Sequence, residues 1–258
     1  MRIAFIGDIV GRPGMDILRH ILPDYLRSKS VDVCIINGEN SAAGMGITFK
    51  LAQEMVSLGA DAITLGNHTF SNAEFVGLVD KIPQVVRPAN VSDEWPGNDY
   101  CIINKCGKKI AVLNLLGQVS MIPSADNPFR RADKLIADID DRADILVLDF
   151  HAEATSEKQL MGYYLDGRVS LVAGTHTHVQ TADNRILPNG TGYITDLGMT
   201  GCIDSIIGMD IDASARRLIS KMPAKYSQAS GDAFMCGVLA DIDDNGSCIR
   251  IERICEYE

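Results

Sequence analysis

Residues 33–40 read VCIINGEN, an apolar run that ends in asparagine, glycine, glutamate and asparagine. Apolar runs rich in β-branched residues, without polar alternation, predict strands that are buried on both faces. Similar segments occur elsewhere in the chain, at residues 3–8, 62–68, 145–151 and 170–178. Each run is followed by polar side chains, so we expect buried strands that present these side chains at their ends.

Helical patterns separate most of these runs. The spacing predicts helices, with Asp212 as the N-cap of the last one, at residues 15–27, 49–58, 156–165 and 213–221. Antiparallel hairpins are predicted at residues 100–115 and 233–254. These elements predict an α/β fold in which two packed sheets are flanked by helices, within a single domain that covers residues 1–258.

The composition excludes several classes of protein. The chain has 258 residues, of which 46% are apolar, and a formal net charge of −10. An acidic surface repels phosphate backbones, so we expect no stable DNA binding. No apolar run approaches the ~18 residues that a membrane span requires, and no secretion signal is visible. The seven cysteines form no Cys-x-x-Cys pair, which indicates a reducing cytoplasm.

The polar strand ends carry the candidate functional residues. They are carboxylates, amides and imidazoles: Asp8, Glu39, Asn40, Asn67, His68, His151, His176 and His178. Four of the five histidines belong to this set, and we interpret His20, in the first predicted helix, as incidental. Taken alone, Asp8 could be a cap, Asn40 a turn residue and His68 a buried histidine. Together, these residue types favour a pair of hard-to-borderline metal ions.

His176 and His178 are two positions apart. In an extended segment this spacing places both side chains on one face, where a pair of imidazoles can hold a transition metal. The glycines that precede the polar groups allow the backbone to turn sharply and approach the ions closely. Asn90, Met199 and residues 204–209 are weaker candidates for the pocket wall, and the substrate-binding residues stay unassigned.

Longer strings around these residues resemble a known family. They are IGDIVG at 6–11, NGEN at 37–40, LGNH at 65–68, RPAN at 87–90, AGTHTH at 173–178 and ITDLGM at 194–199. Their order resembles that of the calcineurin-like metallophosphoesterases, and the full strings resemble the YmdB-like bacterial phosphodiesterase branch. The wider superfamily usually has histidine at position 10 and aspartate at position 39, where this chain has Val10 and Glu39. Both differences match the YmdB-like pattern.

The resemblance implies a four-layer α/β/β/α sandwich with two metal ions, iron or manganese. The residues implied as ligands are Asp8, Glu39, Asn40 and His178 for one ion, and Glu39, Asn67, His151 and His176 for the other. Glu39 would bridge the two ions, which would activate a hydroxide for attack on phosphorus. His68 would stay uncoordinated and act as the general acid.

The resemblance also implies a substrate class and an assembly. The substrates would be small phosphodiesters, notably 2′,3′-cyclic nucleotides such as 2′,3′-cyclic AMP, and the enzyme would be a homo-oligomer. The residues by themselves support only a two-metal phosphoester hydrolase. Two alternatives therefore stay open: a metal-dependent regulatory protein that binds nucleotide or RNA, and a phosphomonoesterase or nucleotidase.

Overall fold

Two β-sheets form the centre of this protein, and helices cover their outer faces. The structure is a computed structural model that describes residues 1–225 and 227–257. The strands are β1 (Arg2–Ile6), β2 (Asp8–Ile9), β3 (Val33–Asn37), β4 (Ala62–Thr64), β5 (Val85–Val86), β6 (Tyr100–Lys105), β7 (Lys108–Leu116), β8 (Ile145–His151), β9 (Leu171–Thr175), β10 (Arg185–Ile186), β11 (Gly192–Ile194), β12 (Met199–Cys202), β13 (Ala233–Ile242) and β14 (Cys248–Tyr257). The helices are α1 (Gly11–Ser28), α2 (Phe49–Ser57), α3 (Ala73–Val76), α4 (Pro128–Ile139), α5 (Thr155–Tyr164) and α6 (Ile211–Ile219).

Both sheets are mixed, with a parallel centre. The first has the order β2-β12-β13-β1-β3-β4-β5, with β14 paired to β13. In it, β1, β3, β4 and β5 run parallel, and β13 is antiparallel to β1. The second has the order β10-β11-β9-β8-β7-β6, in which β7, β8, β9 and β11 run parallel. The carboxyl ends of parallel strands lie at one edge of a sheet, so polar residues that follow them are brought together.

The apolar strand residues are divided between three layers of core. In β1, Ile3 and Phe5 pack between the two sheets, while Ala4 and Ile6 pack against α1 and α2. The second sheet behaves in the same way, because alternate residues of β7 and β8 face α4 and α5. Strands covered on both faces require continuous apolar runs. The predicted arrangement of two packed sheets flanked by helices is therefore confirmed, in the layer order α/β/β/α.

Helix α6 begins earlier than the sequence predicted. Asp210, not Asp212, is its N-cap, and the Asp210 carboxylate accepts a hydrogen bond of 2.8 Å from the amide of Ala213. Asp210 has a non-helical backbone that allows this contact, whereas Asp212 already lies in the first turn. The sequence patterns did not predict helix α4 or the short strands β2, β5, β10, β11 and β12. Within residues 1–225 and 227–257, no helix has the length and hydrophobicity of a membrane span.

Candidate metal centre

The predicted site residues lie at the ends of strands from both sheets. Asp8 is the first residue of β2, separated from the end of β1 by one residue, and Glu39 and Asn40 follow β3. Asn67 and His68 follow β4, His151 is the last residue of β8, and His176 and His178 follow β9. Asp8, Glu39 and His151 are fully buried and Asn40 is nearly so, whereas the other four side chains are partly exposed. All of them meet at one end of the two sheets.

One group of side chains converges on the Nε2 atom of His151. This nitrogen lies 3.0 Å from Glu39 Oε1, 3.0 Å from Asn67 Oδ1 and 3.1 Å from His176 Nδ1. In Glu39, His151 and His176, the possible ligand atoms lie within 4.8 Å of one another. Two oxygens and two nitrogens thus face a common point, which is a donor set that borderline divalent ions accept.

A second group lies on the other side of Glu39. The Nδ2 atom of Asn40 is 3.1 Å from Glu39 Oε1 and 3.2 Å from His178 Nε2, and His178 Nε2 is 4.0 Å from Asp8 Oδ1. Rotation of the Asn40 amide about its last side-chain bond would present its oxygen instead. Glu39 Oε1 belongs to both groups, which is the position that a bridging carboxylate requires.

The Oδ1 atom of Asp8 supports occupation by a cation. It is buried and, among the described residues, has no hydrogen-bond partner. A buried carboxylate oxygen without a partner is costly, because it has lost water and gained nothing in return. A metal ion between Asp8 and His178 would satisfy it, so the residues present fit a metal centre.

Each of the three histidines implied as ligands has a further contact through its other ring nitrogen. His178 Nδ1 donates to the carbonyl of Ile207 at 2.9 Å, so Nε2 is the ring nitrogen that can face a cation. His151 Nδ1 contacts Thr175 Oγ1 at 2.8 Å, and His176 Nε2 contacts Glu153 Oε2 at 3.2 Å. Such contacts orient metal-binding imidazoles. Sequence reasoning did not find Glu153, although its position two residues after His151 was a usable signal.

Burial and charge shift the pKa values of these groups. Burial raises the pKa of Asp8 to about 6, against the opposing charges of His178 and His151. Burial alone would lower the pKa of His151 and raise that of Glu39. Their mutual charge interaction and hydrogen bond outweigh it, so the pKa of His151 rises to about 9 and that of Glu39 falls to about 2. Positive charge near the buried carboxylates of Asp8 and Glu39 would therefore stabilise their ionised forms.

The expectation of an extended segment at His176 and His178 is wrong. Strand β9 ends at Thr175, and both histidines have left-handed backbones, with φ of 99° and 66°. At this bend, the amide of His176 donates to Asp8 Oδ2 at 3.2 Å. The two imidazoles do not share one set of contacts: His176 Nδ1 lies beside His151 Nε2, whereas His178 Nε2 lies beside Asn40 Nδ2. Left-handed non-glycine residues are strained, and surrounding contacts must hold them in place.

Asp196 binds the bent segment of residues 176–178 through Thr177. Its Oδ2 atom accepts hydrogen bonds from the amide of Thr177 at 3.2 Å and from its hydroxyl at 2.8 Å. The same oxygen pairs with Lys158 Nζ at 2.6 Å, and both side chains are 1% exposed. Thr177 lies between the two histidines, so this buried ion pair fixes the segment that carries them. The string ITDLGM, in which Asp196 lies, thus has a local structural role.

A cavity of about 340 Å³ opens above the two groups. His68, Glu153 and Thr177 contribute to its polar wall, and Val10, Met45, Ile207 and Met209 to its apolar wall. Residues 207 and 209 were among the weak pocket candidates. Asn90 is bound elsewhere, because its amide donates to the carbonyls of Leu116 and Asp126. Met199 is buried in β12, where it pairs with Asp8.

Comparison with known proteins shows the family. The family model described as YmdB-like protein matches residues 4–254. The chain belongs to the YmdB-like family. It is 48% identical over 255 residues to the 2′,3′-cyclic-nucleotide 2′-phosphodiesterase of Bacillus subtilis (strain 168), covering 98% of this chain and 96% of that protein. It is 33% identical over 251 residues to a putative phosphatase/phosphodiesterase of Mycoplasma pneumoniae, covering 95% and 89%.

Solved structures agree with this YmdB-like assignment. A hypothetical protein from Thermus thermophilus has a TM-score of 0.94 and 36% identity, with full coverage of both chains. A phosphatase from Mycoplasma pneumoniae also has a TM-score of 0.94, with 32% identity and coverage of 100% of this chain and 93% of that one. A 5′-nucleotidase precursor from Thermus thermophilus, at 13% identity and a TM-score of 0.59, shares the fold alone.

One of the two departures from the wider superfamily, at position 10, lies at the cavity. Val10, at the position where histidine is usual, contributes to the apolar wall of the cavity. No imidazole reaches the second group, that of Asn40 and His178, from this position. Asn40 instead lies between Glu39 and His178 and offers an amide at the same group. In this YmdB-like chain, the amide of Asn40 therefore belongs to a group of side chains to which Val10 offers no ligand atom.

Proposed function

We propose that this YmdB-like protein is a metal-dependent phosphodiesterase that hydrolyses small phosphodiesters, including 2′,3′-cyclic nucleotides such as 2′,3′-cyclic AMP. The observation that carries the proposal is the convergence of two groups of oxygen and nitrogen donors on Glu39 Oε1, at the floor of a cavity. The substrate class follows from the 48% identity, over nearly the whole chain, to a protein named for that reaction.

The proposed centre holds two ions. Its proposed ligands are those implied by the resemblance: Asp8, Glu39, Asn40 and His178 on one side, and Glu39, Asn67, His151 and His176 on the other. We propose iron or manganese, as the family resemblance implies; oxygen and imidazole donors without thiolate agree with these ions, although they also suit zinc. When bound, such ions supply a water of lowered pKa as nucleophile and positive charge for the phosphoryl oxygens.

The cavity favours a diester over a monoester. Among the residues that the structure describes, its lining contains no lysine or arginine, and Glu153 adds a carboxylate near its floor. A phosphodiester carries one negative charge, whereas a phosphomonoester at neutral pH carries nearly two. A site whose positive charge comes only from its metal centre suits the less charged substrate.

His68 is proposed as the general acid. Its ring forms part of the cavity wall, while its backbone amide donates to Glu39 Oε2 at 3.1 Å. Burial lowers the pKa of the imidazole, against the opposing charge of Glu39. A protonated ring with a lowered pKa gives up its proton readily to a leaving alkoxide. Activity that depends on this protonated form falls as pH rises.

The test is turnover by the full chain after chelation and reloading with Mn²⁺. The substrates are 2′,3′-cyclic AMP, bis-p-nitrophenyl phosphate and p-nitrophenyl phosphate. We expect both diesters to be hydrolysed, and the monoester much more slowly. Absence of turnover at full metal occupancy would refute the proposed enzymatic activity and favour a regulatory nucleotide-binding protein. Preference for the monoester would favour a nucleotidase.

We also propose a cytoplasmic location and a homo-oligomeric state. All seven cysteines are free thiols, in agreement with a reducing compartment. Helix α6 has no buried residue, and Leu218 and Ile219 are 72% and 83% exposed. Exposed apolar groups of this kind favour association. Light scattering coupled to gel filtration measures the state directly, and a monomer at micromolar concentration would contradict self-association.

A further inference from the structure

A buried carboxylate lies directly beneath the candidate metal centre. Asp149 is fully buried in β8 and accepts three side-chain hydrogen bonds. The donors are Asn37 Nδ2 at 2.9 Å, Thr64 Oγ1 at 2.5 Å and Thr175 Oγ1 at 2.6 Å. Asn37 and Thr64 end strands of the first sheet, and Thr175 ends a strand of the second. Asp149 therefore connects the two sheets at the edge where the proposed ligands meet.

The contact with Thr175 continues to a proposed ligand. The hydroxyl of Thr175 has one proton, which it donates to Asp149 Oδ1, so its oxygen accepts the Nδ1 proton of His151 at 2.8 Å. With Nδ1 protonated, the Nε2 atom of His151 is free to bind a cation. A carboxylate at the end of such a chain also makes the imidazole more basic.

A second branch reaches the loop that carries Glu39. The Oδ1 atom of Asn37 accepts a hydrogen bond of 3.2 Å from the amide of Glu39, and its Nδ2 atom donates to the carbonyl of Leu65 at 3.3 Å as well as to Asp149. One carboxylate thus contacts the segments that precede Glu39 and Gly66. The branch through Thr175 is the one that ends on a metal-facing ring.

We propose that Asp149 is a positioning residue that acts through Thr175 to fix the tautomer and orientation of His151, and thereby sets the metal affinity of the centre. The inference rests on the metal centre of the proposed function. The competing explanation is that Asp149 only holds the two sheets together. The two explanations differ in what they predict for its two threonine donors.

Thr175→Val and Thr64→Val form a matched pair. Each removes one buried hydroxyl that donates to the same carboxylate, but only Thr175 also contacts His151. A purely structural role predicts similar effects of the two changes on stability and on metal binding. A positioning role predicts that Thr175→Val alone weakens metal binding. Thr175→Ser keeps the hydroxyl and serves as the conservative rescue.

The experiment measures Mn²⁺ affinity by isothermal titration calorimetry on the full chain, after chelation, with melting temperatures of the metal-free proteins as the control for folding. We expect Thr175→Val to weaken binding about 10–100-fold, as removal of such partners generally does, while Thr175→Ser and Thr64→Val stay near the wild type. Equal losses in the two valine variants, or unchanged affinity in a folded Thr175→Val protein, would overturn the inference. Failure of the wild type to bind Mn²⁺ would instead overturn the metal centre itself.

Discussion

The Gly66→Ala substitution tests how closely the backbone must approach the candidate metal centre. Gly66 follows β4 and precedes Asn67 in the chain. A Cβ atom at this position would lie 2.2 Å from Glu39 Oε2 and 2.5 Å from both Nε2 and Cε1 of His151. Its backbone does not lie in the left-handed region. The Gly66→Ala change therefore acts through the added methyl group and not through backbone strain.

The size of the effect follows from these distances. Ordinary van der Waals contact begins near 3.4 Å, so Glu39 and His151 must each move by about 1 Å, several times the ~0.2 Å tolerance of a metal–ligand distance. Overpacking of this kind costs about 1–3 kcal/mol of folding free energy. We expect a folded protein with much weaker Mn²⁺ binding and a loss of roughly 10²-fold in kcat/KM, as a 1 Å misplacement produces.

Gly77→Ala is the matched control. A Cβ atom at Gly77 meets no atom within 4 Å, and its φ is −81°. We expect wild-type metal affinity and turnover from this variant, with stability equal to or slightly above that of the wild type. The assay combines calorimetric titration with Mn²⁺, denaturant unfolding and hydrolysis of bis-p-nitrophenyl phosphate. A folded Gly66→Ala protein with normal affinity and turnover would refute the reasoning.

Three further predictions concern other parts of the site. His68→Ala should retain its metal content, measured by mass spectrometry, and lose ~10²–10⁴-fold in turnover, because only proton donation is removed. Asp196→Ala should lower the free energy of unfolding by about 3–5 kcal/mol, since it leaves Lys158 buried without its partner; the exposed pair of Asp133 with Arg168 offers a control, with a cost of ~0–1 kcal/mol. In the metal-free protein, burial lowers the pKa of His151 but neighbouring carboxylate charges raise it to about 9. Metal binding at pH 7.5 should therefore release a proton, measurable by calorimetry in buffers of different ionisation enthalpy, and affinity should rise with pH up to about 9.

Each of these predictions has a contradicting result. Loss of metal from His68→Ala without a separate loss of turnover would make His68 a ligand. Equal destabilisation by Asp196→Ala and by removal of the Asp133 carboxylate would show that burial adds nothing to the first ion pair. Metal binding at pH 7.5 with no proton release would mean that His151 is already neutral in the metal-free protein.

Much of the fold and the set of candidate residues could be predicted from local sequence. Apolar runs such as Ile3–Ile6 indicated buried strands, because a strand covered on both faces has no polar side. The polar residues after these runs were correctly expected to meet, since the ends of neighbouring parallel strands share one edge. Their roles as metal ligands remain predictions, supported by the convergence on Glu39 and His151.

The tertiary structure alone decided how these residues are held. Asp149 and Asn37 are 112 positions apart, and Lys158 and Asp196 are 38 apart, so no local pattern pairs them. His176, which has a left-handed backbone, donates its amide to Asp8, 168 positions away. Local sequence determines which strands and polar tips can form, because hydrophobic periodicity and turn chemistry act over short distances. The partners of a buried polar group depend on which strands become neighbours, and only the packing of the two sheets determines that.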